Sequence, residues 1–279
     1  MILPLISGLA LAFLCGLLVG SFLNVCIHRW PRGESVVRPR SRCPACEKTI
    51  PWYDNVPVLS YLLLKGCCRH CQAAIAPHYP VVELLNGLFY AFIYWCYGVD
   101  PMAWKLALFV SMMLVLVVTD WREYILPDEL TIGGLIVGWA ISPFVYLDGE
   151  ASQLFLIILE KQYSPGLVSV LESFAASLLI AGFFFLMGEA YYRLRHVEGL
   201  GFGDVKMVAM IGAFWGFGDT LLTLILGSLL GSVVGIAMVL LARKGWDHAL
   251  PFGAYLGATA IVVALWGDDI LSWYFQDFS

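Results

Sequence analysis

Charged residues are scarce in this chain. Asp, Glu, Lys and Arg make up 13% of its 279 residues, while hydrophobic residues make up 60%. A soluble domain is usually about one quarter charged and about half apolar. A single fold in water would expose too much apolar surface. The composition therefore excludes an ordinary soluble protein and predicts an integral membrane protein that is covered partly by lipid.

Three sequence features are also missing. The chain has no block of Lys and Arg that would suggest a nucleic-acid partner. It has no His-Glu-x-x-His sequence, which excludes that type of zinc metalloprotease. No Lys or Arg precedes the first apolar run, residues 5–27, and this run is too long for the core of a cleaved signal peptide. We therefore expect a retained first span with its amino end outside.

Long apolar runs, in contrast, are abundant. A bilayer core needs about 20 apolar helical residues per span, and shorter segments serve where protein covers them. We predict an all-α polytopic membrane protein with about eight transmembrane helices, at residues 5–27, 82–99, 103–119, 130–147, 167–192, 206–218, 220–242 and 251–267.

The positions of Lys and Arg predict how these spans are oriented. With the amino terminus outside, only Lys105 and Lys161 lie in outer segments. This asymmetry agrees with the positive-inside rule, and an even number of spans puts both termini outside. Nearly all other Lys and Arg fall in four inner loops, residues 28–81, 120–129, 193–205 and 243–250.

The inner segment 28–81 contains two cysteine clusters, Cys43-Pro-Ala-Cys46 and Cys67-Cys68-Arg-His-Cys71. Two Cys-x-x-Cys pairs about twenty residues apart are typical of a zinc ribbon, in which four thiolates surround one ion. We expect Cys43, Cys46, Cys68 and Cys71 to hold a structural zinc. The alternatives are reduced thiols without metal, a redox pair, or Cys67 in place of Cys68.

Acidic residues at the ends of apolar spans are the second unusual feature, because charge near lipid is costly and usually functional. Asp120 follows an apolar run, where the carboxyl end of a helix disfavours a carboxylate. Asp204 follows three alternating glycines. At the same predicted membrane face, two carboxylates that share one proton would activate a water and protonate a carbonyl. The alternatives are an N-cap role for Asp204 and a helix cap for the nearby Asp128.

Together these residues resemble the bacterial type IV prepilin peptidases, members of the Gly-x-Gly-Asp group of membrane aspartyl proteases. The resemblance covers nearly the whole chain. Its landmarks are, in order, Gly20-Ser-Phe-Leu-Asn-Val25, the two cysteine pairs, Tyr79-Pro80-Val-Val-Glu83, Asp120 with Leu126-Pro127-Asp128, Gly201-Phe-Gly-Asp204-Val-Lys206 and Pro251-Phe-Gly-Ala-Tyr255.

The resemblance implies that Asp120 and Asp204 are the catalytic dyad and that Asp128 is a neighbour. The substrates would be prepilins and the pseudopilins of type II secretion, which lose a basic leader at the cytoplasmic face of the bacterial inner membrane. Relatives with the cysteine-bearing loop also methylate the new amino terminus with S-adenosylmethionine. We expect a first transmembrane helix at 1–27, a zinc-binding loop domain at 28–81 and a transmembrane peptidase domain at 82–279.

The adenosylmethionine site is less defined, because the chain has no glycine-rich strand–helix fingerprint for a nucleotide. Glu83 is the candidate cofactor-binding residue, since an acid at the inner face would bind an amine or a ribose. Its alternative is an ordinary acid in the first turn of a helix. Two other functions stay open: an ion-coupled transporter with intramembrane acids, and a non-catalytic assembly factor that binds pilins.

Overall fold

The structure is a computed structural model that describes residues 2–147, 164–196, 201–242 and 250–276. In these residues the regular elements are helices, and two isolated bridges each join a single pair of residues. The predicted all-α class is therefore confirmed. The helices are α1 (Ile2–Arg29), α2 (Leu59–Leu63), α3 (His78–Tyr97), α4 (Pro101–Glu123), α5 (Asp128–Ile141), α6 (Pro165–Arg195), α7 (Phe202–Ala242) and α8 (Phe252–Gln276), with 3₁₀ turns at Trp30–Arg32 and Trp52–Asp54.

Five helices in the described residues are long and apolar enough to cross a membrane, namely α1, α4, α6, α7 and α8. The chain is thus a multi-pass membrane protein. The helix α5 has 14 residues and is about 21 Å long, which is shorter than a hydrocarbon core of about 30 Å. The predicted spans 206–218 and 220–242 both lie on α7. The count of eight spans stays a prediction.

A glycine interrupts α7. Gly216 has φ 72° and ψ −161°, a backbone conformation that L side chains rarely adopt. A Cβ at this position would also lie 2.5 Å from Oε1 of Glu172, a buried carboxylate on α6. The Thr220 hydroxyl donates a hydrogen bond to the Gly216 carbonyl at the break. Only glycine therefore permits both the backbone turn and the contact with α6.

The chain divides into two compact units, Met1–Val115 and Leu116–Ser279. In the first unit α1 and α3 run antiparallel along a seam of small residues. Asn86 donates a hydrogen bond to the Gly16 carbonyl at 2.8 Å, and a Cβ on Gly87 would lie 3.0 Å from Leu17. Small residues allow such close helix contact within a membrane. The three-part domain division made from the sequence stays a prediction.

In the second unit α7 packs against α5, α6 and α8. A Cβ on Gly138 of α5 would lie 2.9 Å from Ala213, and one on Gly212 would lie 2.9 Å from the Ser177 backbone of α6. The Ser173 hydroxyl donates to the Ala213 carbonyl at 2.6 Å. Interhelical hydrogen bonds and close backbone contact are the main sources of helix association in lipid. These contacts anchor the helix that carries Asp204.

We predict that Gly16→Ala destabilises the protein by about 1–3 kcal/mol, because an added methyl overpacks the seam. Its Cβ would lie 2.7 Å from the Asn86 carbonyl oxygen and 2.8 Å from the Gly87 Cα, and backbone atoms cannot rotate away. Thermal unfolding in detergent measures the effect. The matched control is Gly182→Ala on α6, where a Cβ meets nothing within 4 Å. Equal unfolding temperatures for the two variants would contradict the prediction.

Candidate active site and metal centre

Asp120 lies in the last turn of α4, and its side chain is buried. The carboxyl end of a helix disfavours a carboxylate. Here, however, Oδ2 accepts a hydrogen bond from the Ala254 N–H at 2.7 Å. Ala254 belongs to the first turn of α8, where N–H groups lack partners within the helix and the helix dipole attracts negative charge. The amino end of α8 therefore offsets the unfavourable position of Asp120 on α4.

Asp204 lies in the first turn of α7 and is half-buried. This helix begins at Phe202, so Asp204 does not occupy the N-cap position that the sequence left open as an alternative. Its carboxylate turns back towards the start of the helix, since Oδ2 lies 3.1 Å from the position of a Cβ on Gly201. The missing side chain of Gly201 leaves room for that carboxylate.

Gly253 marks the point where the two acids meet. Asp120 Oδ2 and Asp204 Oδ1 each lie 3.1 Å from the position of a Cβ on Gly253. The two oxygens are therefore separated by at most twice that distance. The sequence placed the acids only at the same membrane face, and the structure brings their carboxylates into one site. A side chain on residue 253 would occupy that site.

The connection between α4 and α5 lines the same site with apolar surface. A Cβ on Gly253 would lie 2.9 Å from Leu126 Cδ1, and a Cβ on Gly203 would lie 3.2 Å from Leu126 Cβ. Leu126 therefore fills the space beside the acids and leaves no room for a side chain at either glycine. This contact explains the glycine that directly precedes Asp204.

Asp128 lies outside this pair. It is the first residue of α5, where no side chain makes a capping hydrogen bond, so the helix-cap alternative is not observed. Its carboxylate instead forms an ion pair with Lys206 of α7. Asp128 is exposed, in contrast to the buried Asp120. Its interpretation as a neighbour of the catalytic pair stays a prediction.

Gly253 and Ala254 border the site, although no role was predicted for them from the sequence. They belong to Pro251-Phe-Gly-Ala-Tyr255, which serves above only as a landmark of the resemblance. A proline followed by glycine before an apolar run is a usable signal, because it indicates the start of a helix and hence a set of free N–H donors. Which carboxylate those donors bind depends on long-range packing, which the sequence does not reveal.

The four cysteines that the sequence predicts to bind zinc form a cluster of their own in the first unit. The Sγ atoms of Cys43, Cys46, Cys68 and Cys71 all lie within 4.8 Å of one another, and Cys43 Sγ is 3.8 Å from Cys71 Sγ. A tetrahedral zinc with Zn–S bonds of about 2.3 Å requires sulfur atoms about 3.8 Å apart. The four thiols therefore fit a zinc ion.

Both cysteine pairs form the same kind of turn. The residue after each pair, Glu47 or Gln72, has a positive φ, 56° and 58° respectively. Its N–H donates to the carbonyl of the first cysteine of the pair, Cys43 at 2.8 Å and Cys68 at 3.0 Å. The repeated geometry orients the two thiols of each pair towards a common point, as a four-thiolate zinc site requires.

Neighbouring groups also support the second pair. Backbone N–H groups of Cys71 and His70 lower the pKa of the Cys68 thiol to about 6, which favours the thiolate that binds metal. Arg69, between the two cysteines, donates to Asp54 through Nε at 2.7 Å and through a terminal nitrogen at 2.6 Å. The hydrogen bond from Arg69 lowers the pKa of Asp54. This bidentate pair ties the Trp52–Asp54 turn to the second cysteine pair.

Glu83 lies in the first unit, on α3, and its side chain is buried. It accepts a hydrogen bond from the Val58 N–H at 2.7 Å. Val58 has φ 59°, which is unusual for a β-branched residue. Glu83 is therefore engaged with the cysteine-bearing loop and is more than a solvated acid in a first helical turn. Its role towards adenosylmethionine stays a prediction.

Two carboxylates that meet within a group of membrane helices are typical of the class of membrane aspartyl proteases. Comparison with family models agrees. Residues 14–97 match the model described as the bacterial peptidase A24 N-terminal domain, and residues 107–236 match the type IV leader peptidase family. The chain belongs to the type IV leader peptidase family.

Curated relatives are similar over nearly their whole length. A prepilin leader peptidase/N-methyltransferase of Stutzerimonas stutzeri is 31% identical, with 95% of this chain and 93% of the relative covered. Proteins of the same name from Aeromonas salmonicida (33% identical, 95% and 93% covered) and Pseudomonas aeruginosa (32% identical, 98% and 98% covered) give the same result. No solved structure matches the chain.

We predict that Cys68→Ser abolishes zinc binding, because three thiolates and a hydroxyl hold zinc far less tightly than four thiolates. Elemental analysis of protein purified without chelator should give about one zinc per chain for the unmodified protein. Cys67→Ser is the matched control, since Cys67 lies outside the four-thiol cluster and its loss should leave the zinc content unchanged. Loss of zinc from Cys67→Ser alone would show that the ligand set is wrong.

Proposed function

We propose that this chain removes the leader peptide from type IV prepilins and pseudopilins and then methylates the new amino terminus with S-adenosylmethionine. The observation that carries the peptidase assignment is the convergence of Asp120 and Asp204 beside Gly253. The names of the relatives, which cover nearly the whole chain, support both activities. The transporter and the non-catalytic assembly factor are not favoured.

The two carboxylates act as an acid–base pair on a water molecule. Like charges this close do not both ionise readily, so the pair holds one proton. The ionised member removes a proton from water, and the resulting hydroxide attacks the scissile carbonyl. The protonated member gives its proton to the carbonyl oxygen. When the C–N bond breaks, a proton passes to the leaving amine, which becomes the new amino terminus.

The backbone of α8 orients this pair. The Ala254 N–H holds one oxygen of Asp120, so the other oxygen is fixed in direction. Because Gly253 has no side chain, both carboxylates can approach the start of α8 closely. Correct positioning of reacting groups contributes strongly to catalysis, and a shift of about 1 Å can cost about a hundredfold in rate.

The metal and the methyl donor belong to the first unit in this proposal. Zinc bound by Cys43, Cys46, Cys68 and Cys71 has no open coordination position, so its role is structural. S-adenosylmethionine supplies an electrophilic methyl group for the free amine. Glu83 is the residue that we propose to take part in binding for this methyl transfer.

The proposed location is the bacterial inner membrane. Both termini are periplasmic and the cysteine-bearing loop is cytoplasmic, because nearly all Lys and Arg fall in the inner loops. Prepilins are made in the cytoplasm with a basic leader, so the dyad faces the side from which its substrate arrives. The partners are these substrates and membrane lipid.

We predict that Asp120→Asn and Asp204→Asn each lower the rate of leader cleavage by about a thousandfold or more. The reason is that the loss of one member of a catalytic unit costs about as much activity as the loss of all its members. Mass spectrometry of a prepilin incubated with purified protein in detergent measures the shortened product. Zinc content reports that each variant is folded.

Asp128→Asn is the matched control for the dyad. This variant removes an acidic side chain from the same region of the protein. Asp128 forms an ion pair with Lys206 and takes no part in the proposed proton transfer. Cleavage should persist in this variant. Substantial cleavage by Asp120→Asn or Asp204→Asn would refute the dyad.

We also predict that Gly253→Ala lowers cleavage by about tenfold to a hundredfold, because its methyl displaces both carboxylates and Leu126. The control is Gly133→Ala on α5, where a Cβ meets nothing within 4 Å. If both alanine variants cleave a prepilin at the rate of the unmodified protein, residue 253 does not border the site.

A further inference from the structure

Between α1 and α3 of the first unit lies a cluster of three polar side chains, Ser21, Asn24 and Glu83. Ser21 and Asn24 are three residues apart on α1 and so share one face of the helix. The helices are in close contact here, since a Cβ on Gly20 would lie 2.7 Å from the Glu83 Cα. The Ser21 hydroxyl hydrogen bonds to the Glu83 carboxylate.

The Asn24 side chain makes only part of its possible hydrogen bonds with the residues that the structure describes. It is 4% exposed, and its Nδ2 donates to the Tyr79 carbonyl at 2.9 Å. Within the described residues, however, its buried Oδ1 has no hydrogen-bond partner. A buried polar atom without a partner is rare and costs about 1–3 kcal/mol. This oxygen therefore indicates a missing hydrogen-bond donor.

No countercharge for the Glu83 carboxylate is found within the residues that the structure describes. Its partners in the described part of the chain are the Val58 N–H and the Ser21 hydroxyl. The ion pairs found there join Arg69 to Asp54, Arg193 to Glu189 and Lys206 to Asp128, so none involves Glu83. Buried carboxylates are normally paired with a cation. A carboxylate has about four acceptor positions, so space for a further donor remains.

We propose that Ser21, Asn24 and Glu83 bind a primary α-ammonium group. An ammonium supplies the countercharge for Glu83 and a donor for Asn24 Oδ1 at the same time. A ribose hydroxyl would leave the carboxylate without a countercharge, and a sulfonium has no hydrogen to donate to Asn24. Half-buried Ser21 leaves one side of the cluster accessible.

This inference rests on the proposed methyl transfer, in which two α-ammonium groups take part. One is the amino terminus that leader cleavage releases, and the other belongs to the methionine portion of adenosylmethionine. Both have the chemistry that the cluster accepts. Kinetics distinguish them, because only the affinity for the group that binds here depends on Glu83 and Asn24.

The test uses the full-length protein and a synthetic peptide that begins at the mature pilin amino terminus, so that methylation does not require prior cleavage. The variants are Glu83→Gln, which keeps an acceptor for the Val58 N–H and removes the charge, and Asn24→Leu, which removes Oδ1. Tyr90→Phe is the control, because it removes a hydrogen bond between α3 and α4, to Ser111 at 3.1 Å, outside the cluster.

We expect kcat/KM for methylation to fall about tenfold to a hundredfold in both cluster variants, as for the loss of a hydrogen bond to a charged group. Prepilin cleavage and zinc content should stay unchanged, and Tyr90→Phe should methylate normally. A raised KM for the peptide assigns the site to the pilin amine, and a raised KM for adenosylmethionine assigns it to the methyl donor.

Two results would overturn the inference. Normal methylation by Glu83→Gln and Asn24→Leu would show that the cluster binds neither ammonium group. Loss of zinc or of cleavage in the same variants would show that the cluster only supports the fold. Failure of the unmodified protein to methylate the peptide is a different result, since it would refute the proposed methyl transfer itself.

Discussion

A carboxylate at the end of an apolar helix needs hydrogen-bond donors that lipid cannot supply. Asp120 obtains one from the Ala254 N–H at the start of α8, and a hydrogen bond to a charged group contributes about 1.5–3 kcal/mol. The same bond decides where the carboxylate points. The end of α4 must therefore meet the start of α8 for Asp120 to be both stabilised and oriented.

Close contact with a helix start has a steric consequence, because the residue beside the donor must be small. Gly253 precedes Ala254, and a Cβ there would lie 3.1 Å from an oxygen of each acid. Residue 203 must be small for a similar reason, because a Cβ on Gly203 would crowd Leu126. Gly216 has a different purpose, since its φ of 72° breaks α7 beyond the anchored first half. Glycines therefore shape the site, and in our proposal the two acids supply its chemistry.

The sequence predicts the parts of the site that carry a chemical signature. Asp120 is conspicuous because charge is costly near lipid, and the four cysteines are conspicuous because of their spacing. The contact of Ala254 with Asp120 could not be predicted, because the sequence indicates free N–H donors at a helix start but not which carboxylate they bind. The ion pair of Asp128 with Lys206, 78 residues away, likewise depends on packing. The break at Gly216 divides α7 into two helical parts, which lie close to the two predicted apolar runs 206–218 and 220–242.

The cysteine-bearing segment links the metal to the polar cluster of the first unit. A segment this short cannot bury much of a core, so it needs covalent or metal staples. Val58 lies between the two cysteine pairs in the sequence, and its strained backbone, with φ 59°, gives its N–H to Glu83. Four thiolates would leave a bound zinc no open position, so the metal would act on chemistry only through this loop. A structural ion would thus help to hold Glu83 in place without touching any substrate.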